Sequence, residues 1–158
     1  MTTVLVVHHT PSPSLHELLG AVVEGAGADE IEAEVEVVRR PALTAGAADV
    51  LACDGIVLGT PANIGTMSGA LKHFFDQIYY PCLDATAGRP FGLYVHGGSD
   101  VAGAVRDVLR ITGALGWEQV AEVCESTGEI GSAEREAAWE LGATVALRAA
   151  ERTGSSGA

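Results

Sequence analysis

The sequence predicts a three-layer α/β/α sandwich, a single domain over residues 1–153 built on a five-stranded parallel sheet of order 2-1-3-4-5. Three observations carry this. Strand-like runs recur at Thr3–His8, Ile31–Val38, Gly55–Gly59, Phe91–His96 and Val120–Cys124, with helical patterns of crossover length between them, the rhythm of successive βαβ units. The second run alternates, with Ile31, Ala33, Val35 and Val37 set between Glu30, Glu32, Glu34 and Glu36, whereas the others are nearly continuous in apolar residues. One wet face marks an edge strand, and strands covered on both faces read as unbroken apolar runs. Finally, 158 residues at 47% hydrophobic content supply one buried core.

The first helix is the clearest: Leu15, Leu18, Leu19, Val22, Val23 and Ala26 share one face, and Ser14 with Glu17 has capping-box spacing. After Pro41 the chain is Ala-rich and weakly periodic, giving a short helix around Ala47–Leu51. Met67, Ala70, Leu71, Phe74 and Ile78 line the third helix, with Thr66 or Ser68 as its cap. Ser99 or Asp100 opens a helix that runs to about Gly113, and Ser132 opens a last one through Trp139, Leu141, Val145 and Arg148. The small, polar tail at residues 154–158 reads as disordered.

Composition narrows the function. A net charge of −12 argues against nucleic acid and anionic membranes as partners. Any phosphate must therefore be held locally, by backbone N–H groups, hydroxyls and helix N-termini. The three cysteines, Cys53, Cys82 and Cys124, form no ligand pattern and read as free thiols of a reducing compartment. The opening MTTVLVV lacks the basic flank and apolar length of a signal peptide, and no stretch is long enough to span a membrane. The expectation is a cytoplasmic protein without a bound metal.

In this strand order, ligands bind outside the carboxyl ends of the strands, so the loops after strands one, three and four matter most. The first, with His9, Thr10, Ser12, Ser14 and Leu15, packs three hydroxyls beside the free amides of a helix start, a natural phosphate site. The second, Thr60, Pro61, Ala62, Asn63, Ile64 and Gly65, has the Gly, Pro and Asn content that lets backbone approach a flat ligand. The third, His96, Gly97, Gly98 and Ser99, presents a row of N–H donors before a helix. Each loop also has a plain reading, Ser14 as a simple N-cap and the others as ordinary turns.

Other chemistries lose support at these same loops. G-x-x-x-x-G-K-[ST] is absent, Ser68 misses a G-x-S-x-G elbow, and the ends of strands one and three lack the carboxylates of a phosphoacceptor domain. His8 and His9 are neighbours on a strand end and point apart, so His9 is placed near the ligand and His8 in packing. Lys72, the only lysine, pairs with Asp76 at i,i+4.

Asp54-Gly-Ile-Val-Leu-Gly-Thr-Pro-Ala-Asn-Ile-Gly-Thr-Met-Ser-Gly-Ala-Leu-Lys72-His-Phe-Phe-Asp76 resembles the flavodoxin-like NAD(P)H-dependent FMN reductases, a family that includes flavodoxin-fold quinone reductases. The resemblance extends over nearly the whole chain, and the first loop departs from the family's Ser/Thr-rich form by carrying Pro11 and Pro13. It implies noncovalent FMN, with Thr10, Ser12, Ser14 and Leu15 at the phosphate and Pro61–Gly65 and His96–Ser99 flanking the ring. NAD(P)H is then the hydride donor to flavin N5 and a quinone or flavin the acceptor, with no catalytic side chain required. A homodimer or higher homo-oligomer is implied too, with Tyr79, Tyr80 and Pro81 available for an interface or for local packing. The alternatives are a flavodoxin-type electron carrier and a flavodoxin-like binding module without flavin. The absence of Tyr, Trp or Phe from the ring-flanking loops favours the reductase over the carrier.

Overall fold

The computed structural model describes residues 1–156. In chain order its elements are β1 (Thr2–His8), α1 (Pro13–Ala26), β2 (Val35–Pro41), α2 (Ala47–Ala52), β3 (Gly55–Asn63) and β4 (Thr66–Met67). There follow α3 (Gly69–Cys82), β5 (Pro90–Gly97), α4 (Ala102–Leu115), β6 (Glu118–Gln119), β7 (Cys124–Thr127) and α5 (Ser132–Ser156).

The sheet runs β2-β1-β3-β5, and its fifth position is filled in two pieces, β6 and β7, both paired with β5. All these pairings are parallel, as the order 2-1-3-4-5 requires, and β4 alone runs antiparallel, against β3. Alternation along the central strands divides the core. Val4, Val6, Val57 and Tyr94 pack with Leu15, Leu18, Val22, Leu141 and Val145 under α1 and α5. Leu5, Val7, Ile56, Leu58 and Leu93 pack with Leu71, Phe74, Phe75 and Val108 under α3 and α4.

Several boundaries differ from the sequence reading, each for a physical reason. The second strand starts at Val35, because Thr2, the first residue of β1, pairs with Val35 and leaves Ile31–Ala33 no partner. Ile31 nevertheless turns its side chain into the core from a bend. The last strand breaks where the consecutive Val120 and Ala121 both pack against the α1/α5 layer, so the two-residue alternation of a strand fails. Ser12, not Ser14, caps α1: its Oγ accepts from the Leu15 amide at 3.3 Å, and Pro13 takes the first helical position, where a missing N–H costs nothing. Asp100 accepts from the Ala102 amide at 2.9 Å at the start of α4, which ends at Gly116 in the left-handed region. α5 continues to Ser156, beyond the Gly154 at which a tail was expected, while Gly157 and Ala158 lie outside the described residues.

Candidate functional site

The register places the site. His8 pairs with Gly59, Gly59 with Tyr94 and Tyr94 with Cys124, all in parallel, so the loops after β1, β3, β5 and β7 leave from one edge. The His9 amide donates to the Gly59 carbonyl at 3.0 Å, tying the first loop to β3. His8 Nδ1 lies 2.7 Å from Thr10 Oγ1, so this histidine steadies the loop beyond the strand end. Burial, the Arg39 guanidinium and His9 together hold its imidazole pKa below the ordinary value.

The start of α1 is a donor cluster. Of its first amides, Pro13 has none, Leu15 is taken by Ser12 Oγ and His16 by the Ser12 carbonyl. That leaves the Ser14 N–H for an anion at the positive end of the helix, with the hydroxyls of Thr10 and Ser14 beside it. The Leu15 side chain is buried, so it belongs to the core.

The second loop is a hairpin rather than a strand-to-helix connection. Pro61, Ala62 and Asn63 extend β3, and Ala62 pairs with Met67 and Asn63 with Thr66 across a two-residue turn. Both turn residues have positive φ, 49° at Ile64 and 79° at Gly65, as tight hairpins require. A β-branched residue is strained there, and Ile64 is also fully exposed.

Two anchors hold this hairpin. At its base the buried Thr60 hydroxyl accepts from the Ser68 amide at 3.0 Å and donates to the Pro61 carbonyl at 2.8 Å. At its tip the Gly65 carbonyl rests on α4 so closely that a Cβ at Gly103 would lie 1.9 Å from the oxygen. Thr66 Oγ1 adds a 2.7 Å hydrogen bond to Asp107, which, with Arg106, holds that carboxyl below the usual carboxylate range.

In the third loop His96 and Gly97 finish β5, and Gly97 packs between Ala62 and Val101, so the hairpin and third loop touch. Gly98 and Ser99 are exposed, with open space around Gly98. His96 Nε2 donates to the Gly128 carbonyl at 2.7 Å, and Ser14 Oγ reaches toward the same oxygen at 3.5 Å. A fourth loop, after β7, therefore joins the site, which the sequence reading missed. Its signal was Thr127-Gly128-Glu129-Ile130-Gly131, two glycines between a strand and a helix, with Gly128 at φ 74°.

All of the expected residues thus converge on one edge, though unequally. Thr60, Pro61, Gly97 and the Leu15 side chain are buried, whereas Thr10, Ser12, Ser14, Asn63, Ile64, Gly65, His96, Gly98 and Ser99 keep accessible atoms. Beside them the Tyr94 hydroxyl and Ser126 Oγ are buried without a hydrogen-bond partner among the described residues. Hydroxyls at a helix start, a hairpin wall and a glycine-opened row of amides fit a flat ligand that carries a phosphate.

Burial pushes the Cys53 and Cys124 thiols up to about 11 and raises Cys82 as well, so all three are protonated at neutral pH. Among the described residues no three His, Cys, Asp or Glu stand together to hold a metal ion, and no helix is long and apolar enough to cross a membrane.

Comparison with known proteins supplies the family. The WrbA-like flavodoxin from Agrobacterium tumefaciens superposes with a TM-score of 0.77 at 22% identity, covering 96% of this chain and 99% of that one. A flavodiiron protein from Giardia intestinalis gives a TM-score of 0.83 at 15% identity, over 98% of this chain but 38% of its own. A flavodoxin from Aquifex aeolicus (strain VF5) is 35% identical over 78 residues, which span 49% of this chain and 40% of that protein. The family model for NADPH-dependent FMN reductase matches residues 7–124. That stretch is well over half of the chain and includes all three expected loops, and the protein belongs to the NADPH-dependent FMN reductase family, on a flavodoxin-like fold.

Proposed function

We propose that this protein binds FMN noncovalently at the carboxyl edge of its sheet and passes reducing equivalents from NAD(P)H to a small acceptor, a quinone or a flavin. The observation that carries the reading is the meeting of the α1 start, the hairpin and the His96–Ser99 row at one edge. Thr10, Ser12 and Ser14, with the Ser14 amide, hold the phosphate, in place of a positive field that a chain of net charge −12 lacks. Asn63, Ile64 and Gly65 wall one side of the ring, and the amides of Gly98 and Ser99 favour negative charge at its polar edge. Bound FMN supplies two-electron chemistry, and the protein contributes orientation and exclusion of water.

The electron-carrier reading is supported by the acidic charge and by the flavodoxins among the structural neighbours. Against it, no aromatic residue stands in Thr60–Thr66 or His96–Asp100, which leaves a ring face open to a nicotinamide. A homodimer or higher homo-oligomer accompanies the reductase reading, with the exposed Tyr80 and half-buried Tyr79 at the end of α3 as its surface. The three free thiols suit the cytoplasm.

An anaerobic titration tests the function. FMN added to the purified protein is expected to bind, seen in its visible spectrum, and then to bleach to the two-electron reduced form on addition of NADPH or NADH. Flavin that binds but bleaches only with a strong one-electron reductant points to the carrier, and flavin that does not bind overturns the site.

A further inference from the structure

Between β1 and α1 one hydrogen atom has two claimants. His8 Nδ1 lies 2.7 Å from Thr10 Oγ1, and a threonine hydroxyl has a single hydrogen and two lone pairs. If the Thr10 hydroxyl donates to Nδ1, it turns only lone pairs to the space before α1, and these repel an anion. If Nδ1 carries the hydrogen and donates to Oγ1, the Thr10 hydrogen is released to donate outward. The imidazolium and one of the two neutral tautomers meet this requirement. The protonation of His8 therefore decides whether Thr10 is a donor or an acceptor at the start of the helix.

This segment has few other means of holding a doubly charged group. No lysine or arginine occurs between His9 and Val38, Pro13 has no N–H, and the Leu15 and His16 amides are already taken by Ser12. An imidazolium one hydrogen bond behind the loop supplies positive charge. Around the ring, Arg39 of β2 and the adjacent His9 are the charged or titratable groups that act on it; Arg39 pairs with Val6, which shares a face of β1 with His8. Arg40 pairs instead with Asp49 at 3.6 Å, β3 on the other side of β1 carries no ionisable residue, and His16, Glu17 and Glu24 of α1 are exposed. Burial together with Arg39 and His9 keeps the imidazole neutral at pH 7 when no anion is near. A phosphate dianion acts in the opposite direction and draws a proton onto the ring.

We infer that His8 is a positioning residue for the flavin phosphate: its Nδ1–H, resting on the Thr10 oxygen, aims the Thr10 hydroxyl at the phosphate, and the ring takes up a proton from solvent as the dianion binds. This role, which rests on the FMN reading above, gives the site a pH dependence that the hydroxyls of Ser12 and Ser14 and the Ser14 amide do not have. A group that holds its proton more tightly in the bound state than in the free one strengthens binding at low pH, and its contribution is lost as the pH rises through the bound value.

FMN and riboflavin, which lacks the phosphate, are titrated into the flavin-free protein at pH 7.0 and 8.5, where a phosphate monoester stays largely dianionic. FMN is expected to bind about threefold more weakly at the higher pH and riboflavin equally at both. His8→Asn, which keeps an N–H near the place of Nδ1 and does not titrate, is expected to bind FMN without this pH dependence. His8→Leu is expected to weaken FMN about tenfold and to leave riboflavin unchanged, and in a Thr10→Val background to cost little more. The same pH dependence in His8→Asn, or an equal loss of riboflavin and FMN in His8→Leu, overturns the role of His8 while FMN binding keeps the flavin reading intact. NMR titration of the His8 ring, without and with saturating inorganic phosphate, separates the two claims. A midpoint raised by phosphate in a protein that takes up no flavin supports His8 and removes FMN, and an unmoved midpoint overturns His8.

Discussion

The phenol of Tyr94 lies over Gly59 of the adjacent strand, so closely that a Cβ at Gly59 would come within 2.2 Å of the Tyr94 oxygen. That hydroxyl is fully buried and unpartnered among the described residues, an arrangement that costs about 1–3 kcal/mol. Tyr94→Phe keeps the ring and removes the orphaned group, so its urea midpoint is expected to rise by the equivalent of about 1 kcal/mol. A lower midpoint would mean that the hydroxyl has a partner. Gly59→Ala, by contrast, forces the ring to move and is expected to cost about 1–3 kcal/mol.

Gly103 sets the position of the hairpin through the Gly65 carbonyl. Gly103→Ala is expected to push the tip away from α4 and lower FMN affinity by roughly tenfold, a displacement effect on an otherwise intact site. Gly113, on the same helix with nothing near its missing Cβ, is the control. There Gly→Ala is expected to stabilise by about 0.5–1 kcal/mol without touching the flavin. Equal FMN affinity in the two variants would show that the hairpin tip does not touch the ligand.

Ile64 trades stability for surface. Ile64→Asn puts a residue at ease with positive φ at the tip and is expected to stabilise the fold by about 1 kcal/mol. The same change removes an apolar wall, so flavin affinity falls while the melting temperature rises. Movement of both in the same direction would contradict the assignment.

Acid acts on His8. Because its folded pKa is lowered from 6.5, the unfolded chain binds the proton more readily than the folded one. The resulting contribution to stability is complete above pH 6.5 and is lost as the pH falls from there through the lower folded value. Chemical denaturation at pH 7.5 and 5.5 is expected to show the native protein weakening over this interval, and His8→Asn to weaken less. An identical pH dependence in the variant would remove His8 as the source.

The central layers were legible because β1, β3 and β5 are covered on both faces and α1 and α3 carry strong apolar faces, so pattern and packing agree. Where partners decide the outcome, pattern misled. The alternation from Ile31 runs on past the point at which β1 has anything to pair with, and Val120–Cys124 reads as one strand although its neighbours Val120 and Ala121 face the same layer. Thr60–Gly65 has the composition of a loop, and an isoleucine at positive φ is not an expected hairpin turn residue. The phosphate end of the site was visible as hydroxyls beside a capped helix. The Gly128 loop was visible only as two glycines.

The divided fifth strand has a consequence for self-association. A sheet grows by adding strands to an open margin, and neither margin here invites that. On one side β6 and β7 offer only two and four residues, with the ladder interrupted between them. On the other, β2 carries Glu36, Arg39 and Arg40 in exposed positions and ends in Pro41, which has no N–H to give. Strand-to-strand stacking between copies of this chain is thereby disfavoured at both margins of the sheet.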